Sequence, residues 1–200
     1  ITLRSQGLEF YSDLTKGRIS WQDPRVVQVM EIWHDLLKKC KTTHDVASYD
    51  WRLPSRSLLR KQVGLTLSGS FIMQLFDHEH AKNLGYFSFP AISKEIPVAE
   101  IAPVEVWIVP KKSLNQDLSV NFIKLFLKVS SLTQFNQKSH YISPHKNSPE
   151  PSSPVMKQGV KVLQHASGLT PYFDREAPIE MVVMAEQVFT EFIESKNIVS

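Results

Sequence analysis

The 200 residues are 42% hydrophobic and 22% charged, an ordinary globular composition that argues against a disordered, collagen-like or coiled-coil chain. The 23 basic and 20 acidic residues give a net charge of +3, which is too weak to indicate a nucleic-acid partner. No apolar run reaches the roughly 18 residues that a membrane-spanning helix needs. Cys40 is the single cysteine, which excludes an intrachain disulfide and a multi-thiolate metal site.

The N-terminus differs from that of a newly made secreted protein. Ile1 is not an initiator methionine, and no basic segment followed by an apolar segment comes after it. We therefore expect the chain to begin after processing or to be a piece of something longer.

The first third of the chain has helical patterns. Spaced apolar residues predict a helix over 3–14, which Gly17 ends as the residue just past the helix. Asp23 is the expected N-cap of the next helix, and a proline follows at the first helical position. The apolar spacing after this start predicts an amphipathic helix to about Lys41. Another helix is predicted over 52–61.

Short runs rich in β-branched and aromatic residues predict three buried strands, at 63–68, 84–89 and 101–109. The remaining helical patterns lie at 71–76, 115–136, 155–166 and 178–195. The alternation of strands and helices without tight hairpins favours an α/β or α+β fold. Three short strands are few for an α/β domain of this size, which suggests that part of the fold is missing.

Several segments resemble family 1 extracellular solute-binding proteins, the sugar-binding receptors of ABC importers. They occur in the family's order across nearly the whole chain: 7–25, with GRISWQDPR; 64–72, GLTLSGSFI; 84–92, LGYFSFPAI; 101–113, IAPVEVWIVPKKS; 142–147, ISPHKN; and 168–181, GLTPYFDREAPIEM. Any one of these matches is weak, but their shared order is specific.

The resemblance implies an α/β fold of the periplasmic-binding-protein type, a class II clamshell of two lobes that closes on its ligand. It further implies that this chain is the C-terminal portion, without the first segment of the N-terminal lobe. Residues 1–91 and 151–200 would belong to the C-terminal lobe, and residues 92–150 to the N-terminal lobe.

The function implied by the resemblance is that of an extracytoplasmic receptor for a sugar or oligosaccharide, feeding an ABC transporter by ligand-induced lobe closure. Its partners would be the ligand and the membrane permease subunits. It would be a monomer without cofactor, catalysis or nucleic acid. Its location would be the periplasm, or the outer face of the cytoplasmic membrane through a lipid anchor.

Sugar sites need flat aromatic faces that stack on sugar rings and planar polar groups that bind pairs of hydroxyls. By the family pattern, Phe71 after Gly69 and Ser70 stands where the family places a stacking aromatic; the alternative is a core phenylalanine at a helix start. Trp51 would lie near the cleft or pack at a hinge. Trp107 is a ligand-binding candidate whose alternative is a strand residue in the core.

Three polar or amphipathic side chains complete the predicted site. Glu105 can accept hydrogen bonds from two hydroxyls, although bulkier residues surround it than the family usually carries at this place. Arg175 can donate to vicinal hydroxyls as a planar fork, or it can form an ion pair with the flanking carboxylates. Tyr172 is a weaker candidate on the same loop.

Other chemistries have weaker sequence support. The run Asp77-His78-Glu79-His80 does not converge on one metal ion if it is helical, so we expect an exposed helix end. Residues 68–70 lack the second glycine of a nucleophile elbow, and no acid–base pair for an enzyme on this scaffold stands out. The alternative function is that of a truncated stand-alone homologue that acts as a protein-interaction module.

Overall fold

The computed structural model describes residues 1–40, 50 and 52–195, which divide into two compact units. Unit 1 consists of Ile1–Ser57, Ser88–Pro103 and Leu163–Ser200, and unit 2 consists of Leu58–Phe87 and Val104–Val162. Each unit is therefore assembled from segments that are distant in sequence. Trp51 lies outside the described residues.

Unit 1 is mostly helical. Its elements are α1 (Thr2–Ser5), α2 (Gly7–Thr15), α3 (Pro24–Lys39), most of α4 (Arg52–Leu59), β1 (Glu100–Ile101), β2 (Leu169–Thr170), α9 (Phe173–Glu176) and α10 (Ile179–Ser195). The predicted helix over 3–14 is divided at Gln6, because Gly7 takes a backbone φ of +90° that a continuous helix cannot accommodate.

The helix α3 begins where the sequence predicts. The Asp23 carboxylate accepts a hydrogen bond from the Arg25 backbone N–H at 2.9 Å and pairs with the Arg25 guanidinium at 2.7 Å. These two hydrogen bonds from Arg25 lower the pKa of Asp23 to about 2, and the bond from the Arg25 side chain contributes the larger part. The negative charge of the cap therefore persists well below neutral pH.

A parallel strand pair joins two distant segments of unit 1. Glu100 pairs with Leu169 and Ile101 with Thr170. The Glu100 N–H donates to the Gly168 carbonyl at 3.0 Å, and the Ala102 N–H donates to the Thr170 carbonyl at 2.9 Å. This is the only strand pairing within the described part of the chain.

Small apolar clusters and one aromatic cluster hold the helices of unit 1. The apolar clusters are Leu3, Tyr11 and Ala99, with Leu8, and Phe10, Leu14 and Val26, with Ile19 and Met30. In the aromatic cluster, Trp33 contacts Phe189 and the fully buried Phe192, while Trp21 contacts Phe173 and Phe189. Through edge-to-face and tilted ring contacts, Trp33 packs α3 against α10, and Trp21, just before α3, packs on α9 and α10.

Unit 2 has a core built from both of its segments. Its elements are a 3₁₀ helix (Ser70–Leu75), α5 (His78–Ala81), α6 (Gln116–Phe126), α7 (Val129–Ser139) and most of α8 (Pro154–His165). Met73 of the 3₁₀ helix is buried with Val155 and Met156 of α8. Leu84, Tyr86 and Ile142 pack around these three side chains.

Several predicted elements differ from the structure. The runs 63–68 and 84–89 form no strand in the described structure, and the predicted strand at 101–109 is reduced to β1. The predicted helix over 115–136 is two helices, because Lys128 adopts an extended backbone between α6 and α7. A strand needs a neighbouring strand, so a suitable composition alone does not form one.

None of the helices within the described residues is both long and apolar enough to cross a membrane.

Candidate ligand-binding site

The turn at 69–71 begins the 3₁₀ helix of unit 2. Gly69 is the residue before the helix, with an extended backbone, and Ser70 is its first residue. Gly69, Ser70 and Phe71 are all partly exposed, whereas Met73 in the same helix is almost completely buried. The core of unit 2 thus anchors the turn through Met73, and the ring of Phe71 remains partly accessible.

Trp107 belongs to a row of aromatic rings in unit 2. Its ring centroid lies 5.4 Å from that of Phe122 and 4.8 Å from that of Phe126, both on α6. The row continues through Phe135 to Tyr141, with centroids 5.2 and 6.2 Å apart in succession. Trp107 is 53% exposed, and its role as a ligand-binding or a core residue stays a prediction.

Glu105 lies two residues before Trp107 and is exposed. Its neighbours Val104 and Val106 are also exposed, at 66% and 73%. The structure therefore brings an accessible carboxylate and an accessible indole onto one short segment of unit 2.

The other predicted residues lie on a loop and short helix of unit 1. Tyr172 is the residue before α9, and its carbonyl accepts hydrogen bonds from the N–H groups of Arg175 and Glu176. Burial raises the pKa of the Tyr172 hydroxyl. The positive charge of Arg175 opposes this rise, and the negative charge of Asp174 adds to it. The hydroxyl is therefore a hydrogen-bond donor at neutral pH, and the Arg175 side chain on α9 is exposed.

Two contacts fix this loop to α2. The Glu176 carboxylate forms an ion pair with Lys16 at 2.8 Å, and the Tyr11 hydroxyl donates to the Pro171 carbonyl at 3.4 Å. The alternative interpretation of Arg175 is an ion pair with the carboxylates that flank it. One of these carboxylates, that of Glu176, forms an ion pair with Lys16.

Sequence patterns give no indication of the Arg4 cluster, a buried polar cluster in unit 1. The Arg4 guanidinium donates to the carboxylate of Glu100 at 2.7 Å, to the Ser88 hydroxyl at 3.0 Å, and to the carbonyls of Phe89 and Ala99. Only 4% of Arg4 is exposed. These partners are more than 80 residues away in sequence, and the cluster holds the segment 88–103 against α1.

The structure thus divides the predicted residues by unit. Gly69, Ser70, Phe71, Glu105 and Trp107 belong to unit 2, and Tyr172 and Arg175 belong to unit 1. Trp51 lies outside the described residues, so its predicted role stays a prediction.

Other site chemistries have little support in the described residues. They contain no group of three or more His, Cys, Asp or Glu side chains arranged to hold a metal ion. Asp77 caps α5, where it accepts hydrogen bonds from the N–H and the ring of His80, and these bonds lower its pKa. A shallow depression on α10 is lined by Ile179, Val183 and Met184 with Glu180 and Gln187, and none of the predicted site residues lines it.

Comparison with known proteins gives a relative among ABC transporter components. No family model matches the chain. An uncharacterized ABC transporter extracellular-binding protein of Pyrococcus horikoshii is 20% identical over 197 residues, covering 96% of this chain and 43% of the relative. The chain therefore spans less than half the length of this relative.

Two solved structures are similar over almost the whole chain. The bacterial solute receptor AcbH, which shows an exclusive substrate preference for β-D-galactopyranose, gives a TM-score of 0.83 at 21% identity over 98% of this chain and 50% of its own. A chitin oligosaccharide binding protein gives 0.78 at 21% identity over 97% of this chain and 50% of its own. The predicted fold class is thus confirmed: the chain has the α/β fold of periplasmic solute-binding proteins and spans about half of each of these structures.

Proposed function

We propose that this chain is part of an extracytoplasmic receptor that binds a sugar or an oligosaccharide and delivers it to an ABC permease. The observation that carries the proposal is the structural likeness over at least 97% of the chain to two sugar-binding receptors. The relative from Pyrococcus horikoshii, an ABC transporter extracellular-binding protein, supports the transport role. The receptor would act outside the cytoplasmic membrane, as a monomer.

In this proposal, the aromatic residues of unit 2 bind the apolar faces of the sugar rings. Trp107 offers an accessible indole that Phe122 and Phe126 hold from α6. Packing against two rings restricts the rotamers of the indole before ligand arrives, which lowers the entropy cost of stacking. Phe71 would supply a second face from the turn at 69–71.

In this proposal, the polar side chains of each unit, taken by itself, bind sugar hydroxyl groups. The Glu105 carboxylate can accept from two hydroxyls, and the Arg175 guanidinium can donate to two acceptors in one plane. The protonated Tyr172 hydroxyl would add a donor beside Arg175. Such planar, paired contacts distinguish a sugar from water and set its orientation.

Transport would depend on a change of shape and not on a reaction. The ligand would bind the closed receptor more tightly than the open one. Binding would therefore shift the population toward the closed state, which the permease recognises. The chain would have no catalytic step, so the sugar would leave the receptor unchanged.

The direct test is sugar binding by the native gene product purified from its source cells. Isothermal titration with galactose and with N-acetylglucosamine oligomers probes the two ligand classes bound by the structural neighbours, and a wider panel of mono- and oligosaccharides follows. Saturable binding without chemical change of the sugar supports the receptor function. Turnover of the sugar, or no binding across the panel, contradicts it.

The predicted stacking role of Phe71 is testable in the same assay. Phe71→Ala should weaken sugar binding by at least about 1 kcal/mol, or roughly fivefold, because the stacked face is lost. Phe87→Ala is a matched control, since Phe87 is a 62% exposed phenylalanine of unit 2 outside the predicted site. Equal affinities of Phe71→Ala and wild type would overturn the assignment.

A further inference from the structure

The loop that carries Tyr172 and Arg175 is supported by a single stretch of chain in unit 1. Residues 171–176, which include α9, are called the α9 loop here, and residues 11–21 are called the support segment. The support segment contains the second half of α2 and part of the turn before α3. Three of its side chains contact the α9 loop, although the two stretches are far apart in sequence.

Polar contacts hold the two ends of the α9 loop. At its start, the Pro171 carbonyl accepts a hydrogen bond from the Tyr11 hydroxyl at 3.4 Å. At its end, the Glu176 carboxylate forms an ion pair with the Lys16 ammonium at 2.8 Å. Tyr11 is buried, whereas the Lys16 side chain is 40% exposed. The ion pair can therefore be removed with little effect on the core of unit 1.

An aromatic contact holds the middle of the α9 loop. The ring of Phe173, the residue after Tyr172, meets the Trp21 ring edge to face, with centroids 5.9 Å apart. Both rings also contact Phe189 of α10, whose centroid lies 6.1 Å from that of Trp21 and 6.4 Å from that of Phe173. The three rings together fix the start of α9 on α10.

The α9 loop depends on these contacts because α9 is short. A helix of four residues is a single turn, and forming one turn in isolation is unfavourable in water. The N–H groups of Arg175 and Glu176 donate to the Tyr172 carbonyl, and the Ala177 N–H donates to the Phe173 carbonyl. These bonds need the tertiary contacts of the loop to persist. The support segment thereby sets the direction of the side chains that α9 carries.

We propose that Lys16 and Trp21 are positioning residues that hold the α9 loop in its ligand-binding conformation. The inference rests on the proposed receptor function, because it gives the α9 loop a part in sugar binding. Neither positioning residue has to touch the sugar. A loop that is ordered before the ligand arrives loses less entropy on binding, and the apparent Kd rises as the competent fraction of the loop falls.

The first measurement is amide hydrogen exchange at residues 175–177 of the native gene product, followed by NMR without ligand. Trp21→Leu should speed this exchange at least about threefold and Lys16→Met at least about twofold, because each change removes one contact of the loop. The amides of α3 serve as the internal reference. A general loss of stability would speed exchange there too, whereas a loss of positioning acts at 175–177.

Two matched controls accompany these variants. Arg18→Met removes an exposed ion pair with Asp13, which lies within the support segment and does not include the α9 loop. Trp21→Phe keeps an aromatic ring that can pack on Phe173. Both controls should retain exchange rates at 175–177 close to those of wild type.

The second measurement titrates the same variants with galactose and with N-acetylglucosamine oligomers. For the sugar that wild type binds, Lys16→Met and Trp21→Leu should raise the Kd at least about threefold. Arg18→Met and Trp21→Phe should have Kd values close to that of wild type. A purely structural role of Lys16 predicts no difference between Lys16→Met and Arg18→Met.

The two measurements separate the possible failures. Unchanged exchange at 175–177, or equal acceleration in α3, would overturn the positioning role. Faster exchange at 175–177 with an unchanged Kd would overturn the link between this loop and the ligand. No sugar binding by wild type would contradict the proposed function and the ligand role with it, while the exchange rates would still decide whether the support segment orders the α9 loop.

Discussion

Arg4 is the most deeply buried charged side chain among the described residues, and its burial is compensated by hydrogen bonds. Its guanidinium meets one carboxylate, one hydroxyl and two carbonyls, and the Ser88 hydroxyl also lies 2.5 Å from the Glu100 carboxylate. A buried ion pair of this kind contributes little net stability by itself, but it penalises any arrangement that separates its partners. It therefore fixes where the segment 88–103 lies on α1.

Removing the arginine should be costly. We expect Arg4→Met to lower the free energy of unfolding by about 3–5 kcal/mol, because the Glu100 carboxylate loses its positive partner in a site that is only 15% exposed. Lys16→Met is the control: the Lys16–Glu176 pair is more exposed, and its loss should cost no more than about 1 kcal/mol. Urea unfolding measures both, and equal effects would refute the special role of Arg4.

Tyr11 links stability to alkaline pH. Burial, with smaller contributions from the Glu176 and Asp174 charges, raises the pKa of Tyr11 from 10.0 to about 12 in the folded chain. The folded state therefore holds its proton more tightly, so this contribution to stability is complete below pH 10 and is lost as the pH rises toward 12.

The expected result is that Tyr11→Phe makes the stability less dependent on pH between 10 and 12, as measured by urea unfolding at several pH values in this range. Tyr141→Phe, which alters an exposed tyrosine, should retain the wild-type dependence. If Tyr11→Phe also retained it, Tyr11 would not be the group responsible.

At the scale of the elements, the end of α2 depends on one glycine. Gly17 has a φ of +69°, a conformation that an L side chain adopts only with strain, and its N–H donates to the Leu14 carbonyl at 3.1 Å. A Cβ at this position would meet no atom closer than 3.8 Å, so the penalty is conformational and not steric.

We therefore expect Gly17→Ala to destabilise the chain by about 1 kcal/mol. Gly64→Ala is the control, because a Cβ there meets nothing within 4 Å and the φ is not positive; it should be neutral or slightly stabilising. Thermal unfolding compares the two variants. A Gly17→Ala protein as stable as wild type would show that the turn can rearrange.

The helices were more predictable from sequence than the strands, since their signals are local. Asp23 as N-cap and Gly17 beyond the end of α2 are confirmed, because capping depends on neighbouring residues. The runs 63–68 and 84–89 have strand composition, but ladder bonds must come from elsewhere in the chain. The strand β2 was missed for the same reason: its partner is 69 positions earlier in the sequence, as in the pairing of Glu100 with Leu169.

The candidate site was predictable in part. An aromatic residue with exposed faces, such as Trp107, is recognisable by type, but its support by Phe122 and Phe126 depends on how α6 packs. The Arg4 cluster left no local pattern, because its members are separated by up to 96 positions. The predicted lobe boundaries at 91/92 and 150/151, and the roles of the site residues, stay predictions.

At the scale of the whole molecule, the length of the chain should limit its affinity. The structural neighbours bind with chains about twice as long as their matched part. If the proposed receptor function holds, residues 1–200 alone should bind the sugar at least about tenfold more weakly than the native gene product, which corresponds to about 1.4 kcal/mol. Titration of both proteins with the same sugar measures the difference. Equal affinity would show that the 200 residues contain the complete site.

The parallel pair of β1 and β2 has a consequence for how the protein is made. A ribosome that has completed β1 must add all of the segment Val104–Val162 before Leu169 exists, which takes roughly several seconds at ~5–20 residues per second. Unit 1 can close only after that interval, while the segments of unit 2 have already emerged. The segments of unit 1 that precede unit 2 are thus among the last to be fixed, and a nascent chain that stops before Gly168 leaves β1 an open edge for proteases and chaperones.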